Sequence, residues 1–83
     1  MITLTDFHVM SFQEKCDVIM ISSSYLAHRE VGECKVFLYY ADGFYVEVYY
    51  SSKHAKVIMI NAFDKVIGLD PYLNQISILD LEA

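Results

Sequence analysis

Residues 34–63 read CKVFLYYADGFYVEVYYSSKHAKVIMINAF, and the fold turns on how this stretch divides. Asp42-Gly43 is the strongest turn signal in the chain, because both residues tolerate the positive φ that tight hairpins demand. On either side lie β-branched and aromatic runs, which favour extended backbone. Three successive strands are therefore expected, joined at Asp42-Gly43 and at Ser52-Lys53-His54. Successive side chains of a strand point to opposite faces, and here both faces are largely apolar or aromatic. A sheet with one dry face needs only its own helices. A sheet with two needs a second cover layer, a twin subunit or a partner.

The length of the first turn sets the register, and a slip of one residue exchanges the two faces. A two-residue turn pairs Ala41 with Phe44 and Leu38 with Glu47, which buries a carboxylate against a leucine. A three-residue turn, Ala41-Asp42-Gly43 with Gly43 at a bulge, pairs Tyr40 with Phe44 instead. It gathers Cys34, Val36, Leu38 and Tyr40 with Phe44, Val46, Val48 and Tyr50 on an inner face. The outer face then carries Lys35, Phe37, Tyr39, Tyr45, Glu47 and Tyr49. This register separates the apolar residues better and is the expected one. At the second hairpin the same arithmetic pairs Tyr50 with Lys56 and Val48 with Ile58. Ile58 and Ile60 join the inner face, and Val57, Met59 and Asn61 the outer; a one-residue shift exchanges these sets.

Working outward, residues 1–10 form either a short helical turn or an irregular lead-in. Ser11-Phe12-Gln13-Glu14 has the capping-box pattern, in which each side chain satisfies the other's orphan backbone N–H. It predicts a helix from Phe12 to about Ser22 with Phe12, Cys16, Ile19 and Met20 on one face. Ser22-Ser23-Ser24 continues a helix poorly, since serines compete for backbone hydrogen bonds. Tyr25 to Glu30 therefore reads as a first strand followed by a turn at Val31-Gly32-Glu33; the rival reading continues the helix through Arg29 to a stop at Gly32. After Phe63, Asp70-Pro71 reads as a helix start, Asp as N-cap and Pro at the first position. Tyr72, Leu73 and Ile76 supply its apolar side. The tail from Ser77 to Ala83 alternates Ile78, Leu79 and Leu81 with Asp80 and Glu82 and either packs along an edge or frays.

The architecture expected is a single α+β domain over residues 1–83: an N-terminal helix packed on a three- to four-stranded antiparallel meander, then a short C-terminal helix. The long helix should cover the Val36/Leu38/Val46/Val48 face, since sequence neighbours are usually spatial neighbours.

A chain of 83 residues buries only about 60% of its unfolded surface, so self-association is a common support. Charged residues make up 20% of the chain, below the usual figure of about 25%, and seven tyrosines add semi-apolar surface. Both lean toward a homodimer. The net charge is −5, and the basic residues are scattered. Nucleic-acid binding needs clustered Lys or Arg to release counterions, so no nucleic-acid partner is expected; a basic protein partner is compatible. The opening MITLTDF lacks the basic region and apolar run of a signal peptide. No apolar run nears the roughly 18–20 residues that span a bilayer. A cytoplasmic protein with two reduced thiols and no membrane partner is expected.

No catalytic motif, cofactor site or metal site stands out, and a non-enzymatic module is expected. Cys34 and His28 come nearest: a three-residue first turn sets them opposite each other, and Cys16 on the covering helix could approach. A thiol beside an imidazole suits a nucleophile or an incomplete zinc site. Buried cysteines acting as small hydrophobes are the simpler account. Asp42, Asp70, Glu14 and Asp17 are explained by turn, cap, capping box and exposed helix face. Glu47, mid-strand among tyrosines, is expected to bond Tyr39 or Tyr45 or to pair diagonally with Lys35. Lys53, His54 and Lys56 form a basic hairpin tip, read as a solvated turn. The best lead is the aromatic outer face, through which the homodimer is expected to form, with Phe37, Tyr39, Tyr45, Glu47, Tyr49 and Met59 as the candidate interface. Tyrosine joins large contact area to a polar tip and is enriched at interfaces; cover by the chain's own tail is the alternative.

The segments DGFYVEVYY (42–50) and LDPYLNQI (69–76), with the preceding helix and YLAHRE, resemble a group of small bacterial proteins of similar length that carry no assigned activity. The resemblance implies a bacterial, intracellular single-domain protein and no catalytic residues.

Overall fold

The structure, a computed structural model, describes residues 2–76. Two helices, α1 (Leu4–His8) and α2 (Phe12–Ser22), precede four strands, β1 (Ser24–Val31), β2 (Cys34–Ala41), β3 (Phe44–Ser51) and β4 (Lys56–Phe63), and a 3-10 helix follows at Val66–Tyr72. The strands form one antiparallel meander in the order β1-β2-β3-β4. This is the α+β arrangement expected.

Both helices start from reciprocal caps. Ser11 Oγ accepts the Glu14 N–H at 3.1 Å while the Glu14 carboxylate accepts the Ser11 N–H at 3.0 Å. Thr3 and Asp6 do the same at the head of α1, so the lead-in is helical. The serines after α2 end it: Ser23 is extended and its hydroxyl donates to the Ile19 carbonyl. Residues Ser24–Val31 are accordingly strand, not continued helix.

The β2–β3 register is the one set aside on sequence grounds. Ala41 pairs with Phe44 and Leu38 with Glu47, leaving a two-residue turn. Asp42 sits at φ 45° and Gly43 at φ 102°. Positive φ at both central residues matches the right-handed twist of the flanking strands, and Asp-Gly is among the pairs that adopt it readily. The β1–β2 turn is also two residues long, with Val31 opposite Cys34 and Gly32 at φ 57°. At β3–β4 the loop is longer than expected: Ser51 pairs with Lys56, and a bulge at Ile58 shifts the partner of Val48 from Ile58 to Ile60. From Met59 onward that two-residue shift preserves the faces, so Ile60 still lies with Val48, and Met59 and Asn61 still lie opposite Tyr49 and Glu47. Val57, expected on the outer face, pairs with Tyr50 and shares the face of Val48 instead.

The corrected first register deals the strands to two different cores. On one face Phe7 and Ile19 from the helices bury Ala41, Phe44 and Val46, with Tyr39, Val48, Ile60 and Ala62 packed around them. On the other face Leu69 and Tyr72 from the 3-10 helix bury Ala27, Leu38 and Tyr45, joined by Tyr40 and Phe63. The helices therefore do not cover Val36, Leu38, Val46 and Val48 as one set; Leu38 belongs to the far core. The chain supplies its own second cover layer.

That second layer differs from expectation in its bounds. The 3-10 helix begins at Val66 and takes in Asp70 and Pro71, so Asp70 is not its N-cap. Gly68 lets it lie close to the sheet, because a Cβ there would stand 2.4 Å from the Phe63 ring. Phe63 in turn stacks on Tyr45 with ring centroids 5.4 Å apart. The alternating tail from Ser77 onward lies outside the described residues.

Candidate functional site

Glu47 lies at the centre of the far core, 4% exposed. A buried carboxylate is costly unless it is paired and hydrogen-bonded, and three donors converge on it. Arg29 Nη2 reaches Oε2 at 3.1 Å, the Tyr72 hydroxyl donates to the same oxygen at 2.5 Å, and Asn61 Nδ2 donates to Oε1 at 3.0 Å. Arg29 also donates through Nε to the Tyr72 oxygen at 3.1 Å and through Nη2 to the Tyr49 hydroxyl at 3.3 Å. Its guanidinium lies over the Tyr72 ring, 5.4 Å from the centroid. Val36 pairs with Arg29 on one side and Tyr49 on the other, and the bond between those two side chains roofs it; it is fully buried.

This centre ties β1, β3, β4 and the 3-10 helix together. Burial first, then the hydrogen bond to Glu47, raises the Tyr72 phenol well above its ordinary range, so it remains a donor. Burial works against the Arg29 charge, but its bonds to Tyr72 and Glu47 outweigh that and hold the guanidinium above its usual value. Two of the expected partners of Glu47, Lys35 and Tyr39, are replaced. Lys35 pairs opposite Tyr50 and Tyr39 opposite Val46, which puts both on the helix face. Arg29 is the only arginine in the chain. It alternates with Ala27 on β1, and that spacing was the one signal that could have marked it as the inward cation.

The candidate interface does not share one face. Tyr45, Glu47, Tyr49 and Met59 lie on the side of the 3-10 helix, Phe37 and Tyr39 on the side of α1 and α2. Tyr45 and Glu47 are covered, at 7% and 4% exposure. Met59 is 47% exposed.

An aromatic surface does exist, on the helix side of β1 and β2. Tyr25 meets Tyr39 edge-on with centroids 5.8 Å apart. The Tyr25 hydroxyl is 2.9 Å from His28 Nδ1, and the His28 ring lies 6.4 Å from that of Phe37. The helices pack toward the Ala41–Phe44 turn and leave this part of the face open: Tyr25 is 53% exposed, and His28 is exposed. A bulge in β1 between Tyr25 and Ala27 makes the patch possible. Leu26 and Ala27 both join the far core, so Tyr25 and His28 fall on the same side.

The thiol site does not assemble. His28 stands opposite Phe37, and Cys34 stands opposite Val31 on the other face. Both cysteines are free. Among the described residues no group of three His, Cys, Asp or Glu side chains is placed to hold a metal ion. A cavity of about 220 Å³, lined by Ile2, Val18, Ser22, Ala41 and Asp42, falls short of the ~300–1,000 Å³ of ordinary small-molecule sites. Lys53, His54 and Lys56 are exposed at the β3–β4 loop. Among the described residues no helix is long and apolar enough to cross a membrane.

No family model, no curated protein and no solved structure matches this chain.

Proposed function

We propose that this protein is a non-enzymatic interaction module that self-associates and presents its aromatic sheet face to a protein partner. The observation that carries the reading is the patch of Tyr25, His28, Phe37 and Tyr39, left open because the helices cover only the Ala41–Phe44 part of that face. Rigid aromatic rings with polar tips give large contact area at low entropic cost. Glu47, the one buried carboxylate among the described residues, has both oxygens engaged by neighbours, which makes it a fastening, not a base awaiting substrate. Sedimentation velocity tests self-association: a concentration-dependent dimer supports it, and a strict monomer at high micromolar concentration would count against it.

A second reading has its own support. The single arginine is spent on Glu47, which leaves the remaining surface as acidic as the net charge of −5 implies. An acidic regulator that masks a basic protein would show binding that weakens steeply with salt; salt-independent binding would exclude it.

A further inference from the structure

The two edges of the sheet are built differently. An edge strand offers a row of N–H and C=O groups to any other strand, and folded proteins blunt it with charge, bulges, proline or a cover. β1 is one edge. Its bulge at Leu26 breaks the pairing with β2. Arg29 and Glu30 add charge. The Gln75 carboxamide takes both backbone groups of His28, accepting its N–H at 3.2 Å and donating to its carbonyl at 2.6 Å. It fills the place a neighbouring strand would occupy.

β4, the opposite edge, is bare by comparison. Residues 57–63, VIMINAF, contain no charge and no proline. Among the described residues the one blunting feature is the bulge at Ile58, close to the loop, after which Met59 to Phe63 run regularly. Among the described residues no other strand or loop makes a backbone hydrogen bond to its outer side. Ile58 and Met59 are 51% and 47% exposed.

We infer that two copies of this chain join along β4, paired antiparallel about Ile60, so that their sheets run on as one. The edge is self-complementary in that arrangement. Neutral residues of 57–63 meet neutral residues, and Lys56 of one copy falls opposite Asp64 of the other, with Lys65 next to it. Parallel pairing would bring the two basic ends together. The two-fold symmetry closes the assembly at a dimer. Each aromatic patch, at the β1–β2 side, stays open for the partner. A contact of one strand per side is at the small end of stable interfaces, so the dimer should be of roughly micromolar affinity or weaker.

This inference rests on the self-association reading, and the test separates the two. Sedimentation velocity is run on the wild type, on Met59→Lys, which places a charge in the proposed seam, and on Tyr25→Ser in the patch, with circular dichroism and melting as fold controls. Met59→Lys should weaken dimerisation by tenfold or more, and Tyr25→Ser should leave it unchanged. A Met59→Lys protein that dimerises like the wild type overturns the inference. So does loss of the dimer in Tyr25→Ser, which would move the contact to the patch and leave self-association standing. A wild type that never dimerises removes both. Hydrogen exchange of the wild type decides the matter should Met59→Lys fail to fold. Amides of residues 59–63 should slow as concentration rises through the dimerisation range. Protection that is independent of concentration would mean the edge is covered from within one chain, and would refute the inference.

Discussion

Replacing Glu47 by Ala should take away a large part of the protein's stability, and the size of the loss follows from its three donors. Asn61 is exposed and can turn to water. Arg29 cannot turn fully. Removing one partner of a buried ion pair costs about 3–5 kcal/mol, but the Arg29 side chain is 27% exposed, so water screens part of that and about 2–3 kcal/mol is the better figure. Tyr72, fully buried, loses its acceptor, for about 1 kcal/mol more. The sum is about 3–4 kcal/mol, against a total of about 4–12 kcal/mol for a domain of this length. At about 4–8 °C per kcal/mol, melting should fall by about 12–30 °C. Urea titration followed by circular dichroism measures the loss directly. Glu47→Gln, which keeps the volume but not the charge, should fall between the two. An Ala variant within about 0.5 kcal/mol of wild type would mean that the carboxylate is hydrated, and that Tyr72 does not lie over it.

Three further outcomes are expected. The Tyr72 phenol is raised above its ordinary value of 10.0 by burial and by Glu47. Above that pH the unfolded chain releases the proton and the folded one keeps it, so stability should fall as pH rises past 10, and less steeply in Tyr72→Phe; equal slopes in urea midpoints would contradict this. Gly68→Ala should cost about 1–3 kcal/mol, because the new methyl meets the Phe63 ring, and near-UV circular dichroism should report the disturbed Tyr45–Phe63 stack; an unchanged spectrum and midpoint would argue against the close approach. Glu14 is held below its ordinary value by its bond to the Ser11 backbone. Its contribution is present above the unfolded value of 4.5 and is lost as pH falls through the lower folded one. The stability gap between wild type and Glu14→Gln should therefore close in acid; a gap that persists would mean the cap is not formed in solution.

Local chemistry was legible in this sequence, and long-range compensation was not. Ser11 and Glu14, the serine run, and Asp42-Gly43 each act through neighbouring backbone, and each marked an element or its end. The register failed for the opposite reason. Setting Glu47 beside Leu38 looked prohibitive only because its cation lies 18 residues away and its phenol 25 residues away. The turn's own preference for a two-residue Asp-Gly was the better guide, since its φ values are fixed within four residues. The Asp70-Pro71 signal erred similarly. The 3-10 helix starts earlier, and within it Gly68 and Leu69 pack against Phe63, a contact that no local pattern records. The two-faced apolar character of the sheet was read correctly, yet its cover on the far side came from Leu69 and Tyr72. Of the candidate interface, Phe37 and Tyr39 stand in the open patch; Tyr25 and His28 reached it through a β1 bulge that nothing in YLAHRE announces.

Cross-strand nuclear Overhauser effects across the β2–β3 hairpin test the central reading most directly. The account predicts contacts between Leu38 and Glu47 and between Tyr40 and Tyr45, with Tyr72 ring protons close to Leu38. Contacts between Tyr40 and Phe44 and between Leu38 and Val46 would shift the strand by one residue, turn Glu47 out of the core, and contradict it.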